Sequence, residues 1–288
     1  RVGARPGHAA ATRARAHGFE PRPLAEAAGA AAVVAVLLPD EVTPGLWPEI
    51  APALAPDAGV VFAHGFNLLY GALAVPAGAD VVLVSPTGPG RVLREVYERG
   101  EGLPAYLAVH RDASGGAWAL AERYAGWLGC ARARLWRTTV REETEVDLFG
   151  EQAVLCGGMN ALVTAAFDTL VAAGYTPEIA YLECVHQLAF LAELLHGRGV
   201  AGMRAGISGT ALYGDLTRGP RVVGAATRAE LAAMLAEIRS GAFAREWLAE
   251  VAAGSPRLEA LRAAAAAHPI EAARRRALAA GESAAGPA

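Results

Sequence analysis

Gly59-Val60-Val61-Phe62-Ala63-His64-Gly65-Phe66-Asn67 passes from an unbroken apolar run straight into a polar, glycine-containing loop. A run of that kind reads as a strand buried on both faces, which belongs in a parallel sheet covered by helices. Three further segments repeat the pattern: Ala31–Leu38 ends in Pro39-Asp40-Glu41, Asp80–Ser85 in Thr87-Gly88-Pro89-Gly90, and Ala105–His110 in Arg111-Asp112. Amphipathic stretches separate them, so this part of the chain reads as an α/β domain built on a parallel sheet. In such sheets ligands bind beyond the carboxyl ends of the strands, which places the four loops around one site.

Beyond about Thr139 the strand-like runs stop, and segments with helical spacing take over, among them Leu162–Ala173, Ile179–Leu195 and Arg228–Ser240. The chain therefore divides into an α/β domain over residues 1–138 and an all-α domain over 139–288. Its 288 residues, 53% hydrophobic, are enough for two ordinary cores. After Leu278 no apolar stripe continues, and the end is expected to fray.

A formal charge of −3, with no basic cluster interleaved with aromatics, gives no field for a polyphosphate backbone, so no nucleic-acid partner is expected. The longest uncharged apolar run, Ala27 to Pro39, is too short to span a bilayer, and no signal peptide precedes it; no membrane partner is expected either. Cys130, Cys156 and Cys184 are odd in number and widely spaced, which suits buried free thiols and a cytoplasmic location. All 26 basic residues are arginine.

The sharpest chemical feature is Glu142-Glu143-Thr144-Glu145-Val146-Asp147-Leu148-Phe149-Gly150-Glu151-Gln152, which opens the helical domain. On a helix Asp147 and Glu151 share a face and offer oxygen ligands to a hard divalent cation. The plainer reading is a charged helix start favoured by the macrodipole. Glu183 and Gln187 repeat the spacing inside an apolar segment, where a buried Glu183 would need a cation or a donor. His64, at a strand end, is either a structural histidine bonded to the backbone or an active-site group.

Asp147-Leu148-Phe149-Gly150-Glu151-Gln152-Ala153-Val154-Leu155-Cys156-Gly157-Gly158 and Gly214-Asp215-Leu216-Thr217-Arg218-Gly219-Pro220 resemble, nearly residue for residue, signature segments of the ketol-acid reductoisomerases. The order of motifs agrees from Arg1 to about Arg276, and the helical part is similar to the short form of that family. The resemblance implies a Rossmann-type NADP-binding domain followed by an all-helical domain, with NADPH and two Mg²⁺ ions as cofactors. It also implies a homodimer whose subunits share each site. By position, Asp147 and Glu151 would hold magnesium from one subunit, while Glu183 and Gln187 complete the two-metal site from the other. Ser208 would touch the substrate and His64 would lie beside the nicotinamide. Arg5 and His8 would meet the 2′-phosphate, and Asp40, Glu41, Val42, Thr43 and Gly90 would sit near the cofactor. The implied reaction is an alkyl shift in a 2-acetyl-2-hydroxy acid followed by reduction, a step of valine and isoleucine biosynthesis.

The chain departs from that pattern in places. The family's opening strand and its G-x-G-x-x-G loop have no counterpart, so the chain reads as N-terminally incomplete. Thr87 stands where the family has lysine, Gln187 replaces a carboxylate, and His8 and Ala10 replace hydroxyl-bearing residues. Two alternatives follow: a catalytically silent paralogue acting as a binding or scaffold protein, and a related reductase whose pocket is enlarged by Gly206 and Gly209 around Ser208.

Overall fold

The computed structural model describes residues 1–71 and 73–283; the expected fraying falls partly on residues 284–288, outside that range. Two compact units emerge, Arg1–Asp147 and Leu148–Ala288. The first holds a five-stranded sheet of β1 (Val33–Val36), β2 (Gly59–Phe62), β3 (Asp80–Pro86), β4 (Ala105–Arg111) and β5 (Leu135–Arg137), arranged in that order. Its helices are α1 (Ala9–Ala16), α2 (Leu24–Gly29), α3 (Thr43–Ile50), α4 (Phe66–Leu69), α5 (Gly90–Glu98), α6 (Ala117–Trp127) and α7 (Val140–Gly150).

The alternation of side chains decides the packing. Val60, Phe62, Val81, Leu83 and Ala108 form one face, under Trp47 and Ile50 of α3 and Val140 of α7. Val61, Val82, Val84 and Leu107 form the other, under Ala117, Ala121 and Ala125 of α6. Those three alanines recur at helical spacing and let α6 lie close on the sheet. Each fully buried valine or leucine contributes roughly 1.5–3 kcal/mol, and Trp47 satisfies its Nε1–H on the Ala74 carbonyl at 2.6 Å.

The α/β reading holds, with three corrections. Strands β1, β2 and β3 are parallel, but β4 runs antiparallel to β3. Pro86, the last residue of β3, pairs with Ala105, the first of β4. The chain therefore re-enters the sheet at the end it left. Strand β5 went unread because three residues carry too little pattern, and β1, expected to be buried on both faces, is a half-buried edge.

Asp80, at the start of β3, ties the far end of the sheet. Its carboxylate accepts from Ser114 Oγ at 2.6 Å and from the amides of Ala113 and Ser114 at 2.8 and 3.0 Å. Burial raises its pKa, but the Ser114 and Ala113 hydrogen bonds and the nearby Arg111 outweigh it and hold the carboxyl below its ordinary value. The stabilisation is therefore present above the unfolded pKa and lost as pH falls through the lower folded one. Asp80→Ala is expected to cost about 1–3 kcal/mol at pH 7. Urea midpoints of the two proteins should converge as the pH is lowered below the unfolded value of 3.8.

The second unit holds α8 (Gly157–Ala172), α9 (Pro177–Tyr181), α10 (Leu188–Ala205), α11 (Gly209–Val222), α12 (Ala225–Arg239), α13 (Ala242–Ala252), α14 (Pro256–Ala266) and α15 (Pro269–Ser283). Phe167, Ala180, Tyr181 and Ala273 form its core, and Glu178 pairs with Arg276 across α9 and α15. The stretch expected as one helix over Ile179–Leu195 is broken by a π turn, Leu182–His186. A second π turn, Glu151–Leu155, follows α7. Of the cysteines only Cys130 is buried, Cys156 being exposed, which corrects the expectation of three buried thiols.

Candidate active site

Three loops leave the carboxyl ends of β1, β2 and β3, and the sequence folds each of them locally. In the first, Thr43 is buried and its Oγ1 donates to the Pro39 carbonyl at 2.9 Å, closing the turn that starts α3. In the second, the buried Asn67 reaches back to the first, donating to the Asp40 carbonyl at 3.0 Å and to its Oδ1 at 3.1 Å. Asp40 and His64 are thereby held on adjacent loops. Burial pushes the Asp40 carboxyl upward, against the lowering effect of His64 and Asn67.

The centre of the arrangement is a residue that sequence reasoning passed over. Glu143, on the first turn of α7, is fully buried. One oxygen lies 3.3 Å from His64 Nδ1. The other accepts from the Gly65 amide at 3.2 Å and lies 3.2 Å from Thr144 Oγ1, whose proton goes to the Val140 carbonyl. His64 Nδ1 is also 3.5 Å from Asp147 Oδ2. Burial alone would lower the pKa of His64, but the hydrogen bond and charge of Glu143, with Asp40 and Asp147, raise it to about 9. The imidazole is thus held protonated at neutral pH, with Nδ1 directed at carboxylates. The available signal was the run of carboxylates itself: Glu143 and Asp147 are four apart and share a helical face.

The other site residues lie as follows. Arg5 and Gly90 are exposed, and Glu41 and Val42 are half-buried beside Asp40. His8 caps α1, its Nδ1 accepting from the Ala10 amide at 3.2 Å. Thr87 does not replace the missing cation: its Oγ1 donates to the Pro104 carbonyl at 3.0 Å. In the second unit Glu151 lies in one π turn and Glu183 in the other, while Gln187 follows directly. Glu183, expected to be buried, is exposed, as is Gln187, because the apolar residues around them are themselves left largely uncovered. Ser208 caps α11, accepting from the Ala211 amide at 3.3 Å. Gln152 Nε2 is buried without a hydrogen-bond partner among the described residues.

Comparison with known proteins places this geometry. Residues 1–134 match the domain described as "Acetohydroxy acid isomeroreductase, NADPH-binding domain", and residues 140–280 that described as "Ketol-acid reductoisomerase, C-terminal domain". The chain belongs to the ketol-acid reductoisomerase family. A solved NADH-preferring ketol-acid reductoisomerase from an uncultured archaeon is 36% identical, with a TM-score of 0.89, over 92% of this chain and 80% of that one. A putative oxidoreductase from a Jannaschia species, 15% identical with a TM-score of 0.57, covers 83% of this chain and 87% of its own. A pyrroline-5-carboxylate reductase from Coxiella burnetii, 13% identical with a TM-score of 0.55, covers 79% of this chain and 82% of its own. The last two share the fold alone. Ketol-acid reductoisomerases are oxidoreductases of branched-chain amino-acid biosynthesis, and the N-terminal unit is accordingly a nicotinamide-cofactor domain.

Proposed function

We propose that this chain is a working Mg²⁺-dependent ketol-acid reductoisomerase that reduces 2-acetolactate or 2-aceto-2-hydroxybutyrate with NADPH. The observation that carries this reading is the buried Glu143 holding His64 at 3.3 Å, with Asp147 3.5 Å from the same ring nitrogen. A structural histidine would need one backbone partner. This one is instead set among three carboxylates at the mouth of the strand-end crevice.

The proposed metal donors are all oxygen: Asp147, Glu151 and Glu183 give carboxylates and Gln187 an amide, the set a hard cation takes. No group of three or more His, Cys, Asp or Glu that could hold a metal is assembled among the described residues of one chain. That agrees with a set divided between two copies, Asp147 and Glu151 from one and the partner subunit's Glu183 and the partner subunit's Gln187 from the other. The amide of Gln187 brings no charge, so the second ion should be held more weakly than the first. On the cofactor side, Arg5 and His8 would meet the ribose end, with Asp40, Glu41, Val42, Thr43 and Gly90 along the strand ends. The archaeal relative prefers NADH; the guanidinium of Arg5 supports the 2′-phosphate form here.

In the reaction the C2 hydroxyl loses its proton as the alkyl group moves, with its bonding pair, to the adjacent carbonyl carbon, whose oxygen takes up a proton. The new C2 ketone then takes up a hydride and a proton. When bound, the Mg²⁺ ions polarise the substrate oxygens and the reduced nicotinamide supplies the hydride. His64 holds a proton on Nδ1 against Glu143, which would leave Nε2 as the atom that moves a proton at the reacting oxygens. Asn67 fixes Asp40, and so the cofactor loop, against the histidine loop.

A homodimer fits the helical unit. Val154, Leu155, Leu162, Ile179, Phe190 and Leu195 are 44–63% exposed in the single chain, more apolar surface than a monomer ordinarily leaves to water. Val140–Ala172 is long and apolar enough to cross a membrane by length and composition. Family membership favours a partner copy over a bilayer as its cover, in a cytoplasmic protein. A second reading, a silent paralogue, is favoured by one observation, the Thr87 hydroxyl spent on Pro104. Oxidation of NADPH dependent on 2-acetolactate and Mg²⁺ decides between them. Turnover above background removes the silent reading, and its absence under saturating metal overturns the enzyme.

A further inference from the structure

Gly214-Asp215-Leu216-Thr217-Arg218-Gly219-Pro220 is one of the two most distinctive segments of the sequence, yet none of its side chains belongs to the site described above. Its aspartate is half of a fork. Arg204 Nε donates to Asp215 Oδ2 at 2.5 Å, and a terminal nitrogen of the same guanidinium donates to Oδ1 at 3.2 Å. The two residues are eleven apart and bracket the turn Gly206-Ile207-Ser208 between α10 and α11. The hydrogen bond from Arg204 holds the Asp215 carboxyl below its ordinary value, against the raising effect of burial, so the pair is charged at neutral pH.

The turn has little else to fix it. Gly199, at φ 67° and ψ 177°, breaks the line of α10, so residues 200–205 approach the turn in a new direction. Among the described residues of α10 and α11 none is buried in the single chain. A Cβ at Gly209 would meet nothing within 4 Å, and one at Gly206 nothing nearer than the Met203 carbonyl at 3.4 Å. Ser208 ends the turn, its Oγ accepting from the Ala211 amide at 3.3 Å and its carbonyl from the Leu212 amide at 2.9 Å. That leaves the Ser208 O–H free to donate. Ser208, Leu212 and Asp215 recur at helical spacing, so Arg204 grips α11 on the side that carries Ser208. A partly exposed ion pair adds little to global stability, whereas a bidentate guanidinium–carboxylate pair fixes direction as well as distance.

Building on the reductoisomerase reading, in which Ser208 touches the substrate, we propose that Arg204 and Asp215 are positioning residues whose fork sets the turn so that the Ser208 hydroxyl donates to an oxygen of the 2-acetyl-2-hydroxy acid. Neither residue touches the substrate itself. Glycines on both sides of Ile207-Ser208 leave the turn free to shift, and the clamp removes that freedom.

Asp215→Asn keeps the size of the side chain and removes the charge that Arg204 grips. In the full chain, kcat/KM for 2-acetolactate should fall about tenfold, mainly through KM, while KM for NADPH and the urea midpoint stay close to native values. Exchanging the partners, Arg204→Asp with Asp215→Arg, should restore most of the loss. Because the clamp works through Ser208, adding Asp215→Asn to Ser208→Ala should cost almost nothing further; additive losses overturn the proposal and leave the reductoisomerase reading standing. Hydrogen exchange reads the clamp without turnover. The amides of residues 209–212 should exchange about tenfold faster in Asp215→Asn, with those of α8 and α9 unchanged. Unchanged exchange across the turn overturns the clamp. If the native chain does not turn over at all, the reductoisomerase reading fails and takes the substrate away from Ser208. Exchange then decides alone: faster exchange keeps the clamp, and unchanged exchange overturns it.

Discussion

Glu143→Gln lowers the turnover of 2-acetolactate about a hundredfold, the scale of a misplaced acid–base group, and leaves KM for the cofactor nearly unchanged. The substitution is isosteric, and the amide oxygen can still accept from the Gly65 amide, so the loop between β2 and α4 keeps its place. What changes is the partner of His64. A neutral amide removes both the hydrogen bond to the charged form and the largest nearby charge, leaving burial to push the imidazole down. The ring then loses its proton within the working range of pH.

The pH dependence carries the sign of that change. In the native chain the folded pKa of His64, about 9, lies above the unfolded value of 6.5. Stability from the pair is therefore complete below 6.5 and lost as pH rises through 9. The gap in urea midpoint between the metal-free native chain and Glu143→Gln should be widest near pH 6 and close by about pH 10. In activity, the alkaline limb of the native kcat profile should move to lower pH in the variant. An unmoved limb would mean that His64 is not the group being titrated, even if the variant is slow.

Much of this site is visible in the sequence, and the reasons for the rest are physical. The strand-end loops and His64 are readable because strands buried on both faces leave unbroken apolar runs with abrupt polar ends. Asp147 and Glu151 are readable because carboxylates at helical spacing are uncommon beside so apolar a stretch. Glu143 was hidden by its own company: among the five acidic residues from Glu142 to Glu151, nothing local says which one turns inward. That depends on Gly65, far away in sequence, whose missing side chain lets α7 settle on β2. The reversal at β4 was hidden for a similar reason, since apolar runs do not record direction. The π turns escaped because Asp147/Glu151 and Glu183/Gln187 spacing is the same in an α-helix. Such turns are frequent at functional sites, and both fall on the proposed metal-ligand motifs.

Gly65→Ala is expected to do more damage than the loss of Glu143's charge. A Cβ built on Gly65 would stand 2.0 Å from Thr144 Oγ1 and 3.1 Å from both Glu143 Oε2 and Val140 Cγ1. Conformational freedom is not the issue, because φ at Gly65 is −89°, ordinary for any residue. The issue is space, and the atoms in the way belong to a fully buried side chain whose hydroxyl is bonded to the Val140 carbonyl at 2.7 Å. The methyl group can be accepted only if α7 withdraws from the end of β2. Withdrawal stretches the Gly65 amide to Glu143 bond and the Glu143 to His64 contact together. Overpacking and the lost bonds should cost about 2–4 kcal/mol, and kcat/KM should fall at least a hundredfold. Thr144→Ala alone should be mildly destabilising, since it removes one hydrogen bond and little volume. Combined with Gly65→Ala it vacates the space the new methyl needs, so the double variant should be more stable than Gly65→Ala, with a coupling of at least about 1 kcal/mol. Additive effects in that cycle would show that α7 is not seated on Gly65, and the geometry that holds His64 would need another origin.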